Sequence, residues 1–183
     1  NVLKKLKKID KNFIGILGGS FDPPHIGHLK LSKHCVKKLK LSKIYWVITK
    51  KNPFKSKPLF KVNDRIDKCK KLINGFKHIK VKYLDRLVGS SRTIEIIKYI
   101  KKKDKNSNII LIIGSDNLIT FNKWKKWKEL AGIVKIAVLS RKGFDFKAKN
   151  SIASRFLGKE SLIFVNNKKV NISSSNLRKN YLK

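Results

Sequence analysis

Residues 15–34, GILGGSFDPPHIGHLKLSKH, place two adjacent glycines, two adjacent prolines and two histidines three residues apart at the join between an apolar run and a basic amphipathic stretch. The run that leads in, Phe13 to Leu17, has the length and apolar density of a buried strand. The stretch that leads out sets Ile26, Leu29, Val36 and Leu39 on one helical face. A strand, a tight turn and a helix therefore follow one another, with the glycines, prolines and histidines concentrated in the turn.

The same alternation continues along the chain. Candidate strands lie at Ile44 to Thr49, Ile79 to Leu84, Ile109 to Ile113, Val134 to Leu139 and Leu162 to Val165. Helical periodicity fills the gaps: Ile66, Cys69, Leu72 and Ile73 share a face, and Thr93 to Ile100 is a further amphipathic stretch. The segment KKKDKNSN, 101–108, reads as a solvated helix end and turn. Strands linked by helices require right-handed crossovers, which bury a parallel sheet on both sides. The expected class is α/β: a Rossmann-like, doubly wound, mainly parallel sheet with helices on both faces. In such a sheet ligands bind at the carboxyl ends of the strands near the switch point, which is where the turn at 18–28 falls.

At 183 residues the chain matches one domain, 1–183, able to bury about two-thirds of its unfolded surface. It contains no run of 18 apolar residues, and NVLKKLKKIDKN at its start carries lysines where a signal peptide needs an unbroken apolar stretch, so a cytoplasmic protein is expected, without a membrane partner. Cys35 and Cys69 match no metal-ligand spacing and are expected as small buried hydrophobes. The net charge of +35 would ordinarily point to nucleic acid. Only six of the 46 cations are Arg, however, and Lys, Ile and Asn fill 78 positions, a skew that codon supply in an AT-rich genome explains. The lysines are spread over every expected helix, so no specific nucleic-acid partner is expected, although their field would draw in phosphorylated substrates.

Within the turn, Gly18 and Gly19 allow backbone amides to face an anion, a feature that a plain tight turn would share. Asp22, Pro23 and Pro24 fix the approach to the helix. His25 and His28 lie three apart at the helix start, so their imidazoles point to one side of an N-terminus that already favours negative charge, and Gly27 between them leaves room for a flat group. Gly114 and Asp116, just after the fourth strand, fit either a ribose contact or a turn and helix N-cap. Trp124 fits either a ring-stacking surface or a core aromatic.

GGSFDPPHIGH, 18–28, resembles the H-x-G-H signature of the nucleotidyltransferase superfamily and, within it, the pattern of the nicotinate mononucleotide adenylyltransferase family. IIGSDNLITFNKW, 112–124, is similar to that family's G-x-D followed eight residues later by Trp. ISSSNLRK, 172–179, resembles its I-S-S-T-x-[I/L]-R with Ser175 in place of Thr. NPFKSK carries Phe54 before Lys55 where relatives often have His-Lys, and SSRTIEI carries Arg92 and Ile96 where Tyr and Thr are common. The resemblance implies transfer of adenylate from ATP to nicotinate mononucleotide, with Mg²⁺ carried by the ATP phosphates and no protein metal site. It implies catalytic roles for His25, His28 and Arg178. ATP binding would fall to Gly18, Gly19, Ser20, Phe21, Gly27, Gly114, Asp116, Ser173, Ser174 and Ser175. Acceptor binding would fall to Asp22, Lys55, Arg92, Thr93 and Trp124. Nicotinamide mononucleotide and pantetheine phosphate remain alternative acceptors, a basic RNA-binding module is the alternative of another class, and the oligomeric state is open.

Overall fold

The computed structural model describes residues 12–50 and 57–167. Among these, strands Phe13–Gly19 (β1), Lys43–Ile48 (β2), Ile79–Lys82 (β3), Asn108–Gly114 (β4), Lys135–Leu139 (β5) and Leu162–Val165 (β6) form one sheet in the order β3-β2-β1-β4-β5-β6. Each neighbouring pair is parallel. The strand order reverses between β1 and β4, so a crevice opens beyond the carboxyl ends of those two strands.

Helices Ile26–Leu39 (α1) and Val62–Leu72 (α2) cover one face. There Leu29, Cys35, Leu39 and Cys69 pack against Phe13, Ile44, Trp46, Ile110 and Ile112. Asp85–Val88 (α3) is a single turn that leads to Thr93–Lys103 (α4). Ser115–Thr120 (α5), Trp127–Ile133 (α6), Asp145–Lys149 (α7) and Ile152–Ser161 (α8) complete the helices described. The opposite face packs Ile94, Ile97, Leu118, Leu130 and Leu157 of these helices against Ile14, Ile16, Leu111 and Ile136. The central strands are apolar on both sides because both sides are covered.

The strands fall where the sequence places them, with differences at the ends. β1 runs on to Gly19 because Gly18 and Gly19 still pair with Val47 and Ile48 of β2. β3 stops at Lys82 because Leu84 already precedes the helical turn α3. Ile26 departs from the expected buried face: as the first residue of α1 it is 46% exposed, while Leu29 and Leu39 are buried. The turn at 104–107 is also less solvated than its lysines suggest. Ser107 is buried, and Asp104 accepts from the Ser107 hydroxyl at 3.1 Å and pairs with Lys43 at 3.1 Å. Both cysteines are buried free thiols, and burial pushes each thiol up to about 12. Lysine ammoniums lie over ring faces on several elements, Lys33 on Phe76, Lys68 on Phe60, Lys103 on Tyr99 and Lys149 on Phe164, and Lys43 and Lys82 both lie over Tyr45.

Candidate active site

The turn between β1 and α1 is built as a double cap. His25 is the N-cap of α1 in extended conformation, and its Nδ1 accepts the Gly27 amide at 3.1 Å. Nδ1 of His28 in turn accepts the His25 amide at 3.1 Å. This is the capping-box arrangement made with imidazoles in place of Ser and Glu. A ring nitrogen that accepts a hydrogen bond carries no proton, so each neutral ring has its proton on Nε2. Burial, helped by the positive charge of Arg141, holds the His25 imidazole below its ordinary 6.5. His25 is therefore a neutral ring with an N–H donor at Nε2 around neutral pH.

The site is fixed from below. His28 packs on Phe21 at 4.8 Å between centroids, and Phe21 stacks on Trp46 at 5.1 Å. The Trp46 indole donates to Ser32 Oγ at 2.7 Å, and Ser32 donates to the His28 carbonyl at 2.7 Å. Phe21 reaches this position with φ of 47°, in the left-handed region that a side chain rarely adopts. Gly27 is buried and Gly18 is exposed. A Cβ on Gly18 would meet nothing within 4 Å, so that glycine leaves open surface at the mouth of the crevice.

Across the crevice, β4 ends at Gly114 and Asp116 lies in the first turn of α5. Asp116 Oδ1 pairs with Nε of Arg141 at 3.1 Å, although the contact is not aligned as a hydrogen bond. A Cβ on Gly114 would collide with both atoms, so the glycine makes room for this pair. Arg141 follows β5, and its backbone amide donates to Ser115 Oγ and to Asp145 Oδ1, both at 3.0 Å. Sequence reasoning missed Arg141. A signal was available: in a chain with 46 cations of which six are Arg, an Arg just beyond a strand's carboxyl end stands out.

Other expected site residues are placed differently. Asp22 is fully buried and accepts the Leu59 and Phe60 amides at 2.6 and 2.8 Å. It holds the chain at 59–60, and as a buried carboxylate it is stable only where donors surround it. Arg92 is the exposed N-cap of α4, and its amide donates to Ser90 Oγ at 3.0 Å. That amide is already used, which leaves the helix start at Thr93 to face an anion. Trp124 is half-buried, packing on Phe121 at 4.9 Å between centroids and against the core, so it serves as a core aromatic with one surface outward. Lys55, Ser173, Ser174, Ser175 and Arg178 lie outside the described residues. Among the described residues no group of three or more His, Cys, Asp or Glu could hold a metal ion, and no helix is long and apolar enough to cross a membrane.

Paired imidazoles at a helix start and an Asp–Arg pair thus lie at the switch point of a parallel sheet, the place where open α/β sheets bind their ligands. Residues 16–180 match the Cytidylyltransferase-like family model, and the chain is a nucleotidyltransferase. It is 47% identical over 169 residues, 92% of this chain and 93% of the relative, to the Pelagibacter ubique protein named "Probable nicotinate-nucleotide adenylyltransferase". An Agrobacterium fabrum protein of the same name is 37% identical over 131 residues, covering 71% of this chain and 70% of its own length. The chain belongs to the nicotinate-nucleotide adenylyltransferase family. Its fold is also that of Plasmodium falciparum nicotinic acid mononucleotide adenylyltransferase complexed with NaAD, with TM-score 0.73 at 23% identity over 92% of this chain and 83% of that one.

Proposed function

We propose that this chain joins ATP to nicotinate mononucleotide, giving deamido-NAD and pyrophosphate in NAD biosynthesis, in the cytoplasm where ATP is supplied. The observation that carries this reading is the imidazole pair whose Nδ1 atoms are both committed to backbone amides, leaving Nε2–H donors. An oxygen of the mononucleotide phosphate attacks the α-phosphorus of ATP, the bond to the β-phosphate oxygen breaks, and pyrophosphate leaves. No covalent intermediate with the protein is needed, so the side chains align the reactants and compensate the charge that builds on the phosphate oxygens. His25 and His28 donate to the α- and β-phosphates. Gly18, Gly19 and Ser20 form the surface against which the nucleotide lies, with Phe21 and Gly27 buried behind it. Asp116 accepts from ribose hydroxyls beside Gly114, and Arg141 supplies positive charge next to both. Ser173, Ser174, Ser175 and Arg178 receive the β- and γ-phosphates. On the acceptor side, Thr93 at the start of α4 donates to the nicotinate carboxylate, Arg92 and Lys55 supply positive charge, and Trp124 covers the pyridine ring.

The donor set at the crevice, imidazoles and a guanidinium, suits phosphate oxygens and not a cation, so Mg²⁺ would be held by phosphate and water oxygens. When bound there it neutralises polyphosphate charge. The test is pyrophosphate release from ATP with nicotinate mononucleotide, nicotinamide mononucleotide and pantetheine phosphate as separate acceptors. Release with the first and not the third supports the reading; release with pantetheine phosphate alone overturns it.

A further inference from the structure

Beneath the crevice, Lys50 is gripped by two charged side chains of opposite sign. Arg65, on α2 and 1% exposed, donates through one guanidinium nitrogen to the carbonyls of Ser20 at 2.7 Å and Thr49 at 2.8 Å. Its other terminal nitrogen donates to the Lys50 carbonyl at 3.0 Å. Asp85, in α3 and 8% exposed, accepts through Oδ2 from the Lys50 amide at 2.8 Å and from the Ser91 hydroxyl at 2.6 Å. A continuous polar path thus runs from Ser20, in the phosphate-facing turn, through Arg65, the backbone of Lys50 and Asp85 to Ser91, two residues before the start of α4.

This path is costly. Nε of Arg65 and Oδ1 of Asp85 are buried with no hydrogen-bond partner among the described residues. Buried charges of this kind are often matched or outdone in stability by apolar packing of the same volume. What this path adds is a set of directional bonds that ties two loops together at a set distance, and in-line transfer between two bound nucleotides depends on that distance: an error of about 1 Å in alignment can cost roughly 100-fold in rate.

We infer that Asp85 and Arg65 are positioning residues that hold the acceptor side of the site, at Ser91 to Thr93, in register with the phosphate-binding turn at Ser20. The inference rests on the proposed acceptor site at the start of α4. Arg65 fixes the Ser20 end of the path and Asp85 the Ser91 end. Disturbing Asp85 therefore displaces the acceptor side while leaving the ATP side held.

The test is a double-mutant cycle on Asp85→Asn and Ser91→Ala, with both substrates varied. Asp85→Asn keeps shape while removing the charge and one acceptor, and Ser91 is exposed, so Ser91→Ala tests the path even if the first variant folds poorly. Each single change should raise the KM for nicotinate mononucleotide by about fivefold or more with the KM for ATP changed less than about twofold, and the double variant should be no worse than the poorer single one. Unchanged kinetics, equal rises for both substrates, or additive losses would each overturn the inference. Amide hydrogen exchange supplies a readout independent of turnover: Asp85→Asn should speed exchange at Lys50 and over 91–96 and not in β4 or β5. If the wild-type chain transfers adenylate to no acceptor, the proposed function fails by itself. Unchanged exchange at 91–96 would still sink the positioning role, and faster exchange would still support it.

Discussion

Nδ1 of His28 accepts the backbone N–H of His25 at 3.1 Å while the two imidazoles lie 3.9 Å apart between centroids. The histidines cap α1, and the bonds that cap the helix are the ones that put the proton of each neutral ring on Nε2, as the proposed donor role requires.

His28→Ala removes the proposed phosphate donor and one arm of the cap together. Turnover should fall by at least roughly 100-fold, the scale of losing one preorganised transition-state donor. Stability should fall by only about 1 kcal/mol, the usual cost of a lost cap. Steady-state kinetics and thermal melting on the same preparation separate the two effects, and near-wild-type turnover would remove His28 from the reaction.

His25 gives a pH dependence whose sign follows from burial. Its folded-state pKa lies below the 6.5 of an ordinary imidazole, first through burial and then through Arg141. Between the two values the unfolded chain binds more protons, so the contribution of His25 to stability is complete above about pH 6.5 and declines as pH falls through the folded-state value. Protonation also puts a hydrogen on Nδ1, which then cannot accept the Gly27 amide. An NMR titration should place the His25 midpoint below 6.5, and Arg141→Ala should move it upward; a midpoint above 6.5 would contradict the assignment.

Arg141→Ala should also weaken ATP, because it removes the cation between Asp116 and the imidazole pair. A rise of about tenfold in the KM for ATP, with less effect on the mononucleotide, is expected. Gly114→Ala should act on the same pair by steric means, since a Cβ there meets Asp116 Oδ1 and Arg141 Nε. If Gly114→Ala binds ATP as well as the wild type, the pair has no part in nucleotide binding.

The strand positions and the cover of helices on both faces were legible because their residues answer to local rules: β-branched runs make strands, and apolar residues at helical spacing turn inward. The histidine pair was legible for the same reason, since residues three apart at a helix start must share a side. Asp22 was not. Its partners, the Leu59 and Phe60 amides, lie 37 and 38 residues away, and no local pattern reveals that a carboxylate will be buried by a distant loop. Arg65, Asp85 and Arg141 escaped likewise, each acting through contacts that only the packed sheet assembles. Ile26 misled because helical period marks a face without saying where the cover ends, and at the first residue of α1 it ends at the crevice.

The remaining prediction concerns the choice between acid and amide. Nicotinate and nicotinamide mononucleotides differ by a carboxylate against an uncharged amide, so discrimination needs donors without nearby acceptors. The start of α4 supplies them at Thr93, while the Arg92 amide is spent on Ser90 Oγ and the exposed Arg92 side chain adds positive charge. Trp124, held by Phe121 with one surface outward, offers ring contact that is indifferent to the acid or amide group. At saturating ATP, kcat/KM should favour nicotinate mononucleotide by at least roughly tenfold, about 1.4 kcal/mol. Trp124→Ala should lower kcat/KM by a similar factor for both acceptors and leave their ratio unchanged. Arg92→Ala should narrow the ratio, because it removes charge that only the carboxylate uses. Equal use of the two acceptors by the wild-type chain would show that the carboxylate is not bound at the start of α4, and a ratio altered by Trp124→Ala would show that the ring surface helps to choose between them.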